Sequence, residues 1–148
     1  MTQELYQLSI QAARDHSLDL ALVCAVIEQE SAWNPWALRY EPAFYAKYVA
    51  PLSNVNGLSP TEAKARSMSW GLMQVMGEVA REIGFKGKYL SQLCDPAINL
   101  SIGCQHLANK LKRANGDIHK ALLSWNGGGN KAYPNEVMAR MASYQTTL

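Results

Sequence analysis

The sequence predicts a mainly α-helical domain, and three observations carry that prediction. Apolar residues recur at helical spacing along several stretches of the chain. Ser or Asp stands before a proline or an apolar run at several points, a pattern typical of helix starts. The stretches that favour a strand are few and short. We therefore expect about seven helices with little or no strand, in one domain over residues 1–148, a length that suits a single hydrophobic core.

The first two helices are predicted from their apolar faces. Residues 3–16 have a loose apolar face. Asp19 begins a second helix, which extends to about Ser31 and carries apolar residues at helical spacing, namely Leu22, Val23, Val26 and Ile27. Pro35 marks the limit of this helix, because the residue before a proline is pushed out of helical geometry.

Glu30 occupies an unusual place in the second helix. It continues the apolar stripe through Val23 and Val26, whereas Glu28 points away from that stripe. A carboxylate on the core side of a helix is costly unless it is paired, neutral or at the edge of a cleft. An acid in such a setting has a raised pKa and can donate a proton near neutral pH, so Glu30 is the candidate general acid.

The middle of the chain gives weaker signals. Residues 33–58 are rich in aromatic side chains and are expected to be irregular, with room for a short helix at 43–48. Ser59-Pro60-Thr61-Glu62 predicts a helix start that combines a capping serine, proline at the first helical position and a glutamate, and this helix ends near Arg66. Ser69–Val75 is short and apolar and is either a strand or an extended loop.

The rest of the chain is predicted to be helical. The predicted elements are, in order, a helix over Gly77–Ile83 that stops at Gly84, a turn over Gly87–Leu90, a long helix from Asp95-Pro96 to Gly116, a helix from Asp117 to the glycines at 127–129, and a final helix from Pro134 toward the C-terminus. The apolar side of the long helix is expected to be formed by Ile98, Ile102, Leu107 and Leu111.

Composition excludes several classes of function. The net charge of +2 is too small to predict nucleic-acid binding, although it would ease approach to an anionic polymer or cell surface. The longest apolar stretch, Leu20–Ile27, is far shorter than a membrane span, so no stable membrane insertion is expected. The N-terminus lacks a basic region followed by an apolar run, so we expect synthesis in the cytosol without a signal peptide.

The cysteines and histidines do not predict a metal site or a catalytic thiol. Cys24, Cys94 and Cys104 are an odd number without zinc-ligand spacing, and we interpret them as buried reduced thiols. The three histidines show no ligand spacing either. We therefore expect neither a metal ion nor a cofactor.

Four short motifs occur in a fixed order along the chain. They are Glu30-Ser31, Gly71-Leu72-Met73-Gln74, Asp95-Pro96-Ala97-Ile98-Asn99 with Gly103, and Trp125-Asn126-Gly127. In this order and at these separations they resemble the lytic transglycosylases of the SLT type, within the lysozyme-like superfamily. The resemblance covers roughly residues 18–140, and four motifs in order are far more specific than one. It implies a lysozyme-like fold, mainly α and formally α+β, with a cleft between two lobes.

The resemblance implies cleavage of peptidoglycan glycan strands between N-acetylmuramic acid and N-acetylglucosamine. In this family one glutamate first protonates the leaving oxygen and then accepts the proton of the muramoyl C6 hydroxyl, so that a 1,6-anhydro sugar forms without water. Glu30 matches that glutamate, in agreement with its assignment as an acid in an apolar setting. Without a signal peptide, a stand-alone domain of this kind favours a phage or prophage endolysin, or a virion-associated enzyme, and the alternative is a bacterial enzyme without its leader. Such a protein is made in the host cytoplasm and acts on the periplasmic or extracellular wall, and we expect a monomer.

The resemblance also implies which residues bind the glycan. Ser31 is expected to support the helix end, Gln74 and Asn126 to hold sugar hydroxyl or acetamido groups, and Gly127 with Gly128 to allow left-handed backbone near the ligand. The plainer alternatives are a capping contact for Ser31 and a turn for Asn126. The residues expected to contact substrate are Ser31, Glu41, Ser69, Gly71, Met73, Gln74, His106, Trp125, Asn126, Gly127 and Glu136.

Two positions depart from the family pattern. Trp125 stands where the family usually has tyrosine, which keeps a stacking face and changes the polar tip. His106-Leu107 stands where a Tyr-Leu pair is common, so His106 is either a replacement donor for Glu30 or a structural residue. Tyr133-Pro134-Asn135-Glu136 resembles the closing segment of the family, where Glu136 is either a cleft-edge acid or a helix-start glutamate.

Glu41 keeps a second chemistry open. If Glu41 faced Glu30 across a cleft at about 6.5–9.5 Å, it could activate a water molecule and make the protein an inverting hydrolase, as the related goose-type lysozymes suggest. The plainer alternative is an ion pair with Arg39. A non-catalytic glycan-binding module is a further alternative, and it would require the acid to be lost or blocked.

Overall fold

The computed structural model describes residues 1–145, so the last three residues of the predicted domain lie outside the described part of the chain. The helices are α1 (Gln3–Asp15), α2 (Leu20–Ser31), α3 (Pro42–Phe44), a π-helical segment (Tyr45–Val49), α4 (Ala50–Ser53), α5 (Pro60–Arg66), α6 (Gly77–Glu82), a 3-10 segment (Leu90–Cys94), α7 (Pro96–Arg113), α8 (Ile118–Trp125) and α9 (Tyr133–Gln145). The strands are β1 (Leu38–Tyr40), β2 (Met68–Trp70) and β3 (Val75–Met76). These elements confirm the mainly α prediction and fit a lysozyme-like fold.

Helix α2 lies at the centre of the fold. Its residues Ala21–Ile27 are at most 1% exposed, because α9 packs along it and α1 packs against both α2 and α7. Burying each Leu, Val or Ile side chain contributes about 1.5–3 kcal/mol, so this segment supplies much of the core. The predicted N-cap is confirmed, since the Asp19 carboxylate accepts a hydrogen bond from the Ala21 N–H at 2.8 Å.

The sequence signals for helix starts are confirmed at three further places. The side chains of Ser59, Asp95 and Asp117 each accept a hydrogen bond from a backbone N–H in the first turn of α5, α7 and α8, respectively. The buried side of α7 was predicted less well. It is formed by Leu100, Gly103, Cys104 and Leu107, whereas Ile98 and Ile102 are only partly buried at its edge.

The strands form a small antiparallel sheet in the order β1-β2-β3. Leu38 pairs with Trp70, and Trp70 pairs in turn with Val75, so Ser69–Val75 contains both a strand and a turn. The expectation that residues 33–58 are irregular is wrong in two places. Strand β1 escaped prediction because it has only three residues, all of them exposed, which is too short for an alternating pattern to indicate a strand. Helical structure also covers residues 42–53, well beyond the short helix expected at 43–48.

Asn99 connects the sheet to α7 from inside the core. Its side chain is fully buried, accepts a hydrogen bond from the Met73 N–H at 2.9 Å, and donates to the carbonyls of Trp70 and Leu93 at 2.8 and 2.9 Å. Gly71 allows this close approach, because a Cβ atom there would come within 2.5 Å of Asn99 Nδ2 and because its φ is +68°. The turn over residues 71–74 is therefore held rigidly beside the end of α2.

The structure also bears on the state of the cysteines, on membrane crossing and on metal binding. Cys24 and Cys104 are buried and Cys94 is partly buried, and burial raises the pKa of the first two thiols to about 12. Over residues 1–145, none of the helices combines the length and the apolar character that crossing a bilayer would require. Within the same range, no three His, Cys, Asp or Glu side chains cluster in a way that could hold a metal ion.

Candidate active site

Glu30 lies in the last turn of α2, where its carboxyl is half-buried. The helix ends before Pro35, because Ala32 and Trp33 adopt left-handed backbone with φ of 51° and 66°. Two side chains from distant segments donate to the same oxygen, Oε1 of Glu30. The Tyr133 hydroxyl lies at 2.5 Å and the Trp125 indole Nε1 at 3.0 Å. The ends of α2 and α8 and the start of α9 thus meet at this carboxyl.

The environment of Glu30 favours its protonated form. Burial is the largest influence and raises the pKa of the carboxyl above the ordinary value of 4.5. The hydrogen bonds from Tyr133 and Trp125 and the charge of Arg39 lower this pKa without cancelling the rise. The Tyr133 hydroxyl keeps its proton, because burial and the nearby Glu30 raise its own pKa. A carboxyl that stays protonated to higher pH than an exposed glutamate has the property that a general acid needs.

Ser31 connects the end of α2 to the turn over residues 71–74. Its hydroxyl lies 3.1 Å from the Ile27 carbonyl and 2.8 Å from the Leu72 carbonyl. The first contact is a common helix-end interaction, and the second fixes the distance between Glu30 and the sheet. This geometry matches the expected support role, whereas a direct contact of Ser31 with substrate stays a prediction.

The predicted substrate residues of the sheet and its turn lie beside this helix end. Met73 is fully buried and packs its sulfur against Gly103, so its side chain belongs to the core. Gln74 has a left-handed φ of 50°, and its side-chain amide donates to the carbonyls of Ala37 and Gly71 at 3.0 Å. Ser69 is nearly buried, with its hydroxyl 3.1 Å from the sulfur of Met76. Glycan contacts by Ser69, Gly71, Met73 and Gln74 stay predictions.

The loop after α8 has the backbone geometry that its glycines predicted. Gly127 and Gly128 have φ of 78° and 79°, and both are exposed. The Asn126 amide donates to the Asn130 carbonyl at 3.3 Å and so closes this loop. The side chain that reaches Glu30 is that of the preceding residue, Trp125. A contact of Asn126 or Gly127 with a sugar stays a prediction.

His106 contacts Trp125 instead of Glu30. The centroids of the two rings are 5.1 Å apart, and the ring planes are inclined by 41°. Burial, together with the charges of Lys110 and Arg113, lowers the pKa of His106 to about 4, so its ring is neutral near neutral pH. This chain has histidine at position 106, where a tyrosine was expected from the family pattern, and the tyrosine hydroxyl that donates to Glu30 is that of Tyr133.

Tyr133 is a side chain of the candidate site that the sequence did not single out. It lies 103 positions from Glu30 in the chain, at the first residue of α9, and is 4% exposed. The sequence placed it only in a closing segment in which Glu136 was the candidate. One usable signal was present. Tyr133 is an aromatic residue between the glycine-rich loop 126–132 and a proline that starts a helix, and such a loop can bring the next residue close to the end of a neighbouring helix.

Glu41 forms the ion pair that the plainer interpretation expected. Its carboxylate lies 2.9 Å from Nε of Arg39, and its side chain is 33% exposed. Arg39 is close enough to Glu30 for its charge to act on the pKa of that carboxyl. Arg39 was missed as a site residue, because its position on an exposed strand gave no signal. A role for Glu41 in activating water stays a prediction.

A cavity of about 970 Å³ lies between α1, α2 and α9, and Glu30 is not among the residues that line it. Its polar side chains bond to one another. Arg140 lies 3.3 Å from Glu28 and 2.7 Å from Gln29, and Gln29 donates to the exposed Glu136 at 3.0 Å. Volume alone would favour this cavity, but its polar groups pair with one another, whereas Glu30 accepts hydrogen bonds from two distant segments and its pKa is raised by burial. We therefore assign the candidate active site to Glu30 with its donors.

Comparison with known proteins agrees with this assignment. The chain matches the family described as transglycosylase SLT domain over residues 7–144. Over 135 residues it is 30% identical to a protein named transglycosylase from Enterobacteria phage PRD1, and the match covers 86% of this chain and 39% of that relative. The chain thus spans about two fifths of the length of the relative. No solved structure matches the chain. Because the family match covers almost all of the sequence, the protein belongs to the transglycosylase SLT domain family.

Proposed function

We propose that the protein is a peptidoglycan lytic transglycosylase, which cleaves the β-1,4 bond between N-acetylmuramic acid and N-acetylglucosamine. The observation that carries this proposal is the state of Glu30, a carboxyl whose pKa is raised by burial and whose two hydrogen-bond donors are neutral. Membership of the transglycosylase SLT family and the name of the phage relative support the same activity.

The proposed reaction uses Glu30 twice. The protonated carboxyl gives its proton to the glycosidic oxygen as the bond from that oxygen to the muramoyl C1 breaks. The muramoyl C6 oxygen then forms a bond to C1, and its proton passes to the Glu30 carboxylate. The products are a 1,6-anhydro-muramoyl end and a free N-acetylglucosamine hydroxyl, and Glu30 is protonated again. No water is consumed and no cofactor is needed.

Tyr133 and Trp125 suit both halves of this cycle. Between the two proton transfers Glu30 is an anion, and both donors point at its Oε1. They stabilise the anion enough for it to form, yet they carry no charge that would hold it ionised. Arg39 adds a weaker favourable charge from β1. Ser31 keeps the helix end beside the turn, where Gln74 is proposed to face the sugar.

The products released from purified peptidoglycan sacculi test this proposal. Digestion in water enriched in heavy oxygen, followed by mass spectrometry of the muropeptides, is expected to give anhydro ends without label. Labelled reducing ends would contradict transglycosylation and support a hydrolytic muramidase, and Glu41→Gln would then show whether Glu41 positions the water. Release of no muropeptides at all would contradict both enzymatic functions and leave a glycan-binding module.

We further propose that the protein acts in phage-driven lysis of the bacterial wall, as an endolysin or a virion-associated enzyme. The phage source of the relative supports this context, and the net charge of +2 suits approach to an anionic wall. Synthesis in the host cytoplasm, action in the periplasm or outside the cell, and a monomeric state belong to the same proposal. Sedimentation of the purified protein tests the monomer, and clearing of bacteria treated from outside tests the route of access.

A further inference from the structure

The indole ring of Trp125 lies between His106 and Glu30, the candidate general acid. His106 projects from α7 and packs on Trp125 at 5.1 Å between ring centroids, and the Trp125 indole donates to Glu30 at 3.0 Å. His106 itself is half-buried. The three side chains therefore form a continuous series from α7 through α8 to α2.

We propose that His106 is a positioning residue that acts through Trp125, whose indole it holds at the angle at which Nε1 donates to Glu30. This inference rests on the proposed function of Glu30 as acid and base. It gives the histidine a role that requires neither contact with the sugar nor a hydrogen bond to the acid.

Trp125 needs such support because of its place in the chain. It is the last residue of α8, and after Asn126 come the left-handed Gly127 and Gly128. A large ring at a helix end before glycines has little local backbone to restrict its rotamers. Contact between two aromatic rings restricts the indole, and such pairs contribute measurably beyond simple burial.

The contact is suited to a neutral ring. Burial, Lys110 and Arg113 lower the pKa of His106 to about 4, and the group that faces the imidazole from α8 is the uncharged indole of Trp125. The charged or titratable groups that act on Glu30 itself are Arg39 from β1 and Tyr133 from α9. A neutral aromatic residue at position 106 should therefore hold the indole of Trp125 in the same position as the histidine does.

The same two helices supply a matched control. Lys110 lies one turn after His106 on α7, and its ammonium group donates to the Ser124 hydroxyl on α8 at 3.0 Å. Removing this contact loosens α7 against α8 without touching the ring of Trp125. The Lys110 charge also lowers the pKa of His106, but burial is the largest cause, so the His106 ring stays neutral near neutral pH without it. Lys110→Met thus separates a general effect on helix packing from an effect on the indole.

The variants His106→Ala, His106→Phe and Lys110→Met test the inference on soluble glycan strands prepared from sacculi. His106→Ala is expected to lower kcat by about 2- to 10-fold, the rate equivalent of one aromatic pair, with KM nearly unchanged. The alkaline limb of its pH–rate profile should move to higher pH, because the indole hydrogen bond lowers the pKa of Glu30. His106→Phe should restore both quantities, and Lys110→Met should alter neither.

An NMR titration of the Glu30 carboxyl measures the same pKa without any turnover. It should show a higher pKa for His106→Ala than for the parent and His106→Phe. An unchanged pKa in His106→Ala, or a rise in KM at constant kcat, would overturn the proposal. Equal impairment of His106→Phe and His106→Ala would also overturn it, because the imidazole nitrogens would then be required. A parent protein that titrates as expected but releases no muropeptide would refute the proposed function alone.

Discussion

Glu30 and Glu62 are both half-buried carboxyl groups that accept hydrogen bonds from neighbouring side chains, yet their pKa values move in opposite directions. Burial raises the pKa of each. At Glu62 the guanidinium groups of Arg81 and Arg66, at 2.7 and 3.1 Å, outweigh burial and lower the pKa. At Glu30 the nearest donors are the neutral Tyr133 and Trp125, and burial prevails.

The difference shows that the charge of the donors, more than their number, determines what a half-buried carboxyl can do. A carboxylate between two arginines is held ionised and joins elements of the fold, here α5 and α6. A carboxyl between neutral donors can exist in both protonation states, because neither state leaves an unpaired charge beside it. The contrast between Glu30 and Glu62 therefore separates a candidate catalytic acid from a structural ion pair.

The largest expected effect comes from replacing Glu30, the carboxyl that has neutral donors. Glu30→Gln keeps the size of the side chain and an oxygen acceptor for both donors but cannot release a proton, so release of muropeptides from sacculi should fall roughly 10³-fold or more. Its thermal midpoint should stay the same or rise, because a half-buried acid is removed. Glu62→Gln is the matched control and should retain a rate within about threefold of the parent. Activity in Glu30→Gln would place the acid elsewhere, and Glu41 would be the next residue to replace.

The sequence predicted the parts of this comparison that depend on local signals. Asp19, the apolar stripe of α2 and the cap at Ser59 lie within a few residues of the features they determine, so helix bounds and the position of Glu30 followed from them. Tyr133 did not follow, because its contact with Glu30 spans 103 positions and depends on how α9 packs on α2.

Two further features also depended on tertiary structure. Strand β1 is exposed along its whole length and exists because β2 lies beside it. Asn99 occupies a helical position in α7, where its burial and its three hydrogen bonds are decided by the turn over residues 71–74. The motif that contains Asn99 does not indicate these contacts, and β1 gives no signal of its own, since both arrangements depend mainly on partners about 26 to 32 positions along the chain.

The second prediction concerns the neutral donors. Tyr133→Phe removes the hydroxyl that lies closest to Glu30, and the rate should fall roughly 10- to 100-fold because the anion between the two proton transfers loses a donor. The alkaline limb of the pH–rate profile should move to higher pH, since this hydrogen bond lowers the pKa of Glu30.

Tyr144→Phe is the control for the tyrosine variant. Tyr144 lies on the same helix, and its hydroxyl accepts a hydrogen bond from Trp33 Nε1 at 3.0 Å, away from the carboxyl of Glu30. Its rate should stay within about twofold of the parent, although a hydrogen bond worth about 1 kcal/mol is lost. Equal rates in Tyr133→Phe and Tyr144→Phe would show that the contact to Glu30 has no catalytic consequence.

The third prediction tests the difference between Glu30 and Glu62 by their effects on stability. Glu62→Gln should lower the free energy of unfolding by about 1–2 kcal/mol, because Arg81 and Arg66 lose a charged partner that is 20% exposed and only partly screened by water. Glu30→Gln should leave this free energy unchanged or raise it. Urea unfolding at neutral pH measures both. Losses of similar size in the two variants would contradict the distinction between structural and catalytic carboxyl groups.

The smallest expected effect is the pH dependence of those two stability differences, and its sign is opposite for the two residues. The folded pKa of Glu62 lies below the ordinary 4.5, so its stabilisation is complete above that value and is lost as the pH falls through the folded pKa. The folded pKa of Glu30 lies above 4.5, so its contribution is complete below that value and is lost as the pH rises through the folded pKa. Urea unfolding from acid to neutral pH should therefore show the deficit of Glu62→Gln shrinking in acid.

Over the same range the advantage of Glu30→Gln should grow toward neutral pH, and each trend should amount to less than about 1 kcal/mol for a partly solvated group. Parallel trends in the two variants would mean that the neutral donors at Glu30 hold the carboxyl ionised as firmly as the arginines hold Glu62. In that case Glu30 would lack the proton that the first step of cleavage requires.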